Sequence, residues 1–154
     1  MVQLKAFVMD AMQEGPEKVN CQEEVPTTKD YHDIHISLVP NIKLAAATTK
    51  EAIAASECQG VVAEMSPHFR PALWTAGNLN KAGDKKLPVR VTGQLFFDSS
   101  HVPCKDGEPV GKNPKRVSLW EIHPIYAFEV CTADCDGEGT WVSLEDWVST
   151  SKGK

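Results

Sequence analysis

The sequence has no long apolar run. Its uncharged, mainly apolar stretches, such as Leu44 to Thr49, fall far short of the ~20 residues that carry a helix across a bilayer, so no membrane span is expected. It also lacks an excess of basic charge. Sixteen Lys and Arg stand against 21 Asp and Glu, a net charge of -5, the opposite of the basic surface that marks general nucleic-acid affinity. That leaves room only for a local basic patch. Paired CxxC spacing is absent too. Cys21, Cys58 and Cys104 stand alone, and three residues separate Cys131 from Cys135, so a zinc module is not indicated. Five thiols allow at most two internal disulfides with one left over, and Cys131 with Cys135 is the natural close pair; free cytosolic thiols are the plain alternative. No secretory apolar segment follows Met1, so export would require a leader already removed and a Met1 foreign to the natural chain. Repeats and low-complexity segments are missing as well.

What is present fits one domain over 1–154, with a core of about 2–130 and a tail over 131–154. At 154 residues, 42% hydrophobic and 24% charged, the chain is long enough to bury a core and ordinary enough in composition to be globular. Residues 2–12 are rich in apolar and β-branched types and predict a first strand, although the pattern also permits a helix. Residues 13–31 carry Gly15, Pro16 and Pro26, a loop signature. Positions 33–38 alternate polar with aliphatic, which predicts a half-buried second strand ended by Pro40.

A short helical turn or loop is expected over 48–56 and a third strand over 60–65. Ser66 followed by Pro67 resembles a helix start, and the spacing predicts a helix running from there to Lys81. Residues 87–98 predict a fourth strand with a bulge or bend at Gly93. After a long loop, 117–130 predicts a fifth, bent at Pro124, which cannot donate to a ladder. Trp141, Leu144 and Trp147 have the spacing of a short amphipathic C-terminal helix. The fold class is therefore mainly β. The order strand, strand, strand, helix, strand, strand is that of a five-stranded OB-like barrel with its helix between strands 3 and 4, and small sandwiches or three-layer arrangements are the rivals.

Chemistry concentrates in three strings. Asp33 and His35 lie two apart, as do Glu121 and His123, so each pair shares one face of its strand. Asp98 and His101 sit where the fourth strand runs out. Glu64 stands alone in an apolar third strand, where an unpaired carboxylate would cost several kcal/mol (roughly), so it needs a partner or a solvated cleft. Imidazole with carboxylate suits a divalent ion such as zinc or manganese, and equally suits general acid and base work. Hydrogen-bonded His and carboxylate pairs are also ordinary bracing devices, with no catalysis attached.

The strings Asp-x-His-x-x-Leu at 33–38, Phe-Phe-Asp-x-x-His at 96–101 and Trp-Glu-Ile-His-Pro-Ile at 120–125, with Glu64 between them, resemble a group of uncharacterised bacterial proteins, many of them exported. The similarity covers about 18–130 and is most specific in the fourth and fifth strands. It implies a small β-rich domain, an exported or periplasmic setting and importance for Asp33, His35, Glu64, Asp98, His101, Glu121 and His123, without naming a reaction. The chain departs from the commonest pattern in its longer, lysine-rich loop 102–115 with Cys104, and in the Ile that closes His-Pro-Ile.

Other residues have plainer readings beside the functional ones. Arg70, Arg90 and Arg116, with Lys112 and Lys115, would make a small basic rim for a phosphate or an oligonucleotide strand, or are simply solvated charges. Trp74 and Trp120 would stack a base or a sugar, or belong to the core. Gly107 and Gly111 lack the spacing of a phosphate loop. No strand-to-helix elbow surrounds Ser99 and Ser100, which argues against a serine hydrolase, and nothing supports Cys104 as a nucleophile beside His101.

Two functions remain. One is a binding or structural module in which the His and carboxylate groups brace the barrel, while its outer strands or long loop meet an oligonucleotide, glycan or protein. The other is a divalent-metal-dependent hydrolase, with phosphodiester bonds as one candidate substrate: His35, His101, His123 and Asp98 hold the ion, Glu64 or Glu121 is the base, and Arg116, with Arg70 and Trp120, contacts the ligand.

Overall fold

Alternating apolar residues form the strands, and where the alternation breaks the sheet bends. The computed structural model describes residues 1–15, 32–111 and 114–151. In chain order it contains β1 (Val2–Gln13), β2 (Ile34–Val39), α1 (Ile42–Ala45), α2 (Lys50–Glu57), β3 (Val61–Met65), a 3-10 turn (Pro67–Phe69), α3 (Ala76–Asp84), β4 (Pro88–Phe97), β5 (Trp120–Ala133), β6 (Thr140–Ser143) and α4 (Leu144–Ser151). The fold is mainly β. Most of the loop read over 13–31, together with Cys21 and Lys112, lies outside the described residues.

The sheet runs β3-β2-β1-β4-β5-β6 and is antiparallel along that order. One parallel pair, Ala63 with Ile122, joins β3 to β5, so five strands form a ring. The long β1 makes this possible: residues 2–7 pair with β4 and residues 7–13 with β2, and the register shifts between Val8 and Asp10. Asn80 of α3 steadies that bend. Its Oδ1 accepts from the Ala11 N–H and its Nδ2 donates to the Ala11 carbonyl, both at 2.8 Å, which satisfies backbone groups beside the shift. α3 lies close over β1, with Leu79 and Ala82 buried. A Cβ on Gly83 would stand 2.8 Å from the Val8 carbonyl oxygen.

Inside the ring pack Ile34, Ile36 and Leu38 of β2, Ala63 and Met65 of β3, Val89 and Val91 of β4, and Ile122, Ile125 and Phe128 of β5, in one cluster with Leu144 and Trp147 of α4. Gly93 is where β4 bends, with register shifts on both sides of it. A Cβ there would lie 2.5 Å from both Ile122 Cγ2 and the Pro124 carbonyl oxygen.

Three sequence expectations need correction. The helix read from Ser66 to Lys81 is two pieces, the 3-10 turn at Pro67–Phe69 and α3 from Ala76, because Pro71 interrupts the segment and the side chain of Thr75, not Ser66, caps α3 by accepting from the Asn78 N–H. The C-terminal helix begins at Leu144, and Trp141 belongs to β6 beside β5. β2 is buried on both faces rather than one. The described residues between β4 and β5 fold back toward β2 and β3, where the His101 ring meets that of His35. They are held by a disulfide from Cys104 to Cys58, by the Val117 N–H donating to the Gly60 carbonyl, and by the Cys104 N–H donating to the Arg116 carbonyl. A second disulfide joins Cys131 and Cys135, the pair expected from their spacing.

Candidate functional site

Strand register brings His35, Glu64, Glu121 and His123 together. His35 lies opposite Glu64 across β2 and β3. The parallel pairing of Ala63 with Ile122 sets the next residues, Glu64 and His123, side by side on the outer face. Glu121 lies on the same face, two residues from His123 and opposite Phe96.

Contacts follow from this placement. Glu64 bridges two rings, with Oε1 2.8 Å from His35 Nε2 and Oε2 3.0 Å from His123 Nδ1. His35 Nδ1 stands 3.3 Å from Glu14. His123 Nε2 shares a 2.9 Å hydrogen bond with the Ser66 hydroxyl and lies 3.8 Å from Asp33, while Nδ1 is 3.5 Å from Glu121. Arg116 Nη1 donates to Glu121 at 2.9 Å and to Asp98 at 3.0 Å. Asp98 also binds His101 and accepts from the Ser100 hydroxyl and N–H. The His35 and His101 rings meet edge to face with centroids 6.3 Å apart.

Asp33 and Arg116 are wholly buried, Glu64, Glu121 and His35 nearly so, and the His123 side chain keeps 16% exposure. Burial pushes the Glu64 carboxyl up, but the hydrogen bond from His35 and the charges of His35, His123 and Arg116 outweigh it and hold Glu64 below its ordinary value. Asp98 is likewise lowered, with burial overcome by the two bonds from Ser100 and by His101. For His123, burial opposes the charged ring, yet the bond to Glu121 and the charges of Glu64, Asp33 and Glu121 raise its pKa.

All seven residues singled out by the three strings and the isolated glutamate therefore fall in one network. Arg116 joins them from inside rather than from a basic rim. Arg90 is elsewhere, held by Glu129 at 2.6 and 2.7 Å. Arg70 Nη1 donates to the His32 carbonyl at 2.7 Å. Trp120 is half exposed on the opposite face of the β4–β5 ribbon, edge to face with Phe97. Sequence reasoning missed Ser66 and Glu14. Ser66 shares a face with Glu64, two residues away, and that alternation could have found it; Glu14 is recognisable only once β1 is paired with β2.

One donor atom each from Asp33, Glu64 and His123 lies within 4.8 Å of the other two, close enough to hold a metal ion. The chain matches no protein-family model, no curated protein and no solved structure with which it was compared. The geometry of the cluster thus carries the functional argument.

Proposed function

We propose that the chain is a binding domain of the OB type whose outer face holds a divalent cation on Asp33, Glu64 and His123. The ring of five strands, its single β3–β5 closure and the helix between β3 and β4 support the barrel type. The observation that carries the cation is the convergence of these three donors, Glu64 from β3, His123 from β5 and Asp33 from the position just before β2. Charge supports it. Asp33, Glu64, Asp98 and Glu121 are all buried, and Arg116 ion-pairs with Asp98 and Glu121. Several carboxylates gathered in a low-dielectric site favour bound protons or a cation beside them. A mixed nitrogen and oxygen donor set suits zinc or manganese. His123, partly exposed, marks the way in.

Metal content and thermal melts with and without a chelator test this reading. Near-stoichiometric zinc or manganese, a melt lowered by chelation, and loss of both effects in His123→Ala and Glu64→Gln are expected. Protein that binds no added divalent ion and melts alike in both conditions would exclude the cation.

A specific observation favours a second reading, a closed bracing network: Arg116, fully buried, ties Asp98 to Glu121. That reading requires no metal and predicts the latter result. A hydrolytic form of the first reading would use Glu121, 3.5 Å from His123 Nδ1, as base for a metal-activated water. The two disulfides support an exported, oxidising setting. Among the described residues no helix is long and apolar enough to cross a membrane.

A further inference from the structure

Half of the exposed large apolar side chains of the described residues, Leu95, Phe96, Phe97, Trp120 and Tyr126, stand on the β4–β5 ribbon. Such concentration marks a contact surface. On the outer face of the β4–β5 ribbon they alternate with hydrogen-bonding groups. Phe96 is opposite Glu121 in register and packs edge to face on the His123 ring, with centroids 5.6 Å apart. Gln94, two residues before Phe96, shares its face and accepts from the Tyr126 hydroxyl at 3.1 Å. Phe96 and Tyr126 are each 49% exposed. The result is a short stripe, Tyr126, Gln94, Phe96 and His123, in which aromatic surface and polar atoms take turns.

The charge at this stripe disfavours anionic ligands and bulky cationic ones. The four carboxylates behind it repel phosphate or sulfate groups. They are also buried and engaged within the network, so they offer no exposed partner to a bulky cationic ligand such as a basic peptide. What reaches solvent is an amide, a phenol and an imidazole next to two half-exposed rings. A sugar ring has the matching surface, with apolar C–H faces that lie on aromatic rings and hydroxyl edges that both donate and accept.

We propose that Gln94, Phe96 and Tyr126 form a binding site for an uncharged oligosaccharide, which docks along the outer face of β4 and β5 with one end at His123. Residues two apart in a strand are separated by about 6.8 Å, so the stripe takes one or two sugar rings in direct contact. The site stands on the aromatic stripe and not on the cation, so it can hold whether or not the cluster binds metal.

The test uses the full chain, with and without chelator, against cellohexaose, xylohexaose and chitohexaose, read by calorimetry and by saturation transfer from protein to sugar. A heparin-derived hexasaccharide and an oligolysine peptide serve as charged comparators. Binding of at least one uncharged hexaose is expected, weakened about tenfold or more in Phe96→Ala and Tyr126→Ala and less in Gln94→Ala, with melting temperatures near that of the parent. Tyr126→Phe, which removes only a hydroxyl, guards against misfolding and is expected to lose part of the affinity. No binding of any uncharged hexaose, binding indifferent to Phe96→Ala and Tyr126→Ala, or tighter binding of either charged probe would overturn the proposal. Divalent-ion titration of Phe96→Ala in parallel keeps the result separate from the cation reading, because its failure would leave metal binding intact.

Discussion

A buried guanidinium between two carboxylates is costly to leave half made. Arg116 Nη1 serves both Asp98 and Glu121, whereas its Nε and Nη2 find no hydrogen-bond partner among the described residues. Removing it strands two buried acids, so Arg116→Leu is expected to destabilise the chain by about 3–5 kcal/mol, measured by urea unfolding at neutral pH. A loss below about 1 kcal/mol would mean that the acids rearrange or protonate freely. Glu57 makes the opposite prediction. Burial raises its carboxyl above the ordinary range despite the hydrogen bond from Ser37, and Asp10 adds to the rise. A carboxyl whose folded pKa is raised contributes stability that is fully present below its unfolded value, about 4.3, and is lost as pH climbs through the folded value. Glu57→Gln is therefore expected to gain stability relative to the parent as pH rises from about 4 to 8, and melts across that range would show the gap widening. A gap independent of pH would mean that Glu57 ionises without cost.

At the scale of elements, the ring closes only if β4 and β5 approach closely at their bend. Gly93 has no room for a side chain against Ile122 and Pro124. Gly93→Ala is expected to cost about 1–3 kcal/mol through overpacking and strand displacement, and because the bend lies beside Gln94 and Ile122 it should also shift amide signals of both neighbouring strands. This glycine was recognisable in the sequence as an interruption of a β-branched run. The break between the 3-10 turn and α3 was not. Ser66-Pro67 has the local chemistry of a helix start, but Ser66 is drawn into a bond with His123, a partner 57 positions away that no local pattern announces. Trp141 similarly kept a helical spacing with Leu144 and Trp147, yet its backbone pairs with β5 and its ring packs over Arg90 and Lys5. Tertiary pairing overrode local spacing in both places.

For the whole molecule, the segment 98–119 decides what the outer face of the sheet can do. The Cys58–Cys104 disulfide spans 46 positions and fastens that segment over the cluster, a closure whose loss should cost about 4 kcal/mol by chain entropy. Replacing both cysteines by serine is expected to lower stability by about that amount and to speed hydrogen exchange across 98–119, whereas the same change at Cys131 and Cys135, which are 4 positions apart, should cost less. Equal effects of the two pairs would show that the segment is held by its backbone bonds and by Arg116 alone.

Five of the six strands, their inner faces and the identity of the polar residues were legible in the sequence, because period-two alternation and the need to partner a lone glutamate are local physical facts, whereas β6 was not. Asp33 with His35 and Glu121 with His123 were legible as pairs for that reason. Only the tertiary structure decided that these pairs share one site with Glu64, Asp98, His101 and Arg116, since that depends on strand register, on a single parallel contact between β3 and β5, and on a segment folded back over the sheet. Register and closure are set by the packing of the whole core, with contacts between residues tens of positions apart, and such contacts leave no periodic mark in the chain.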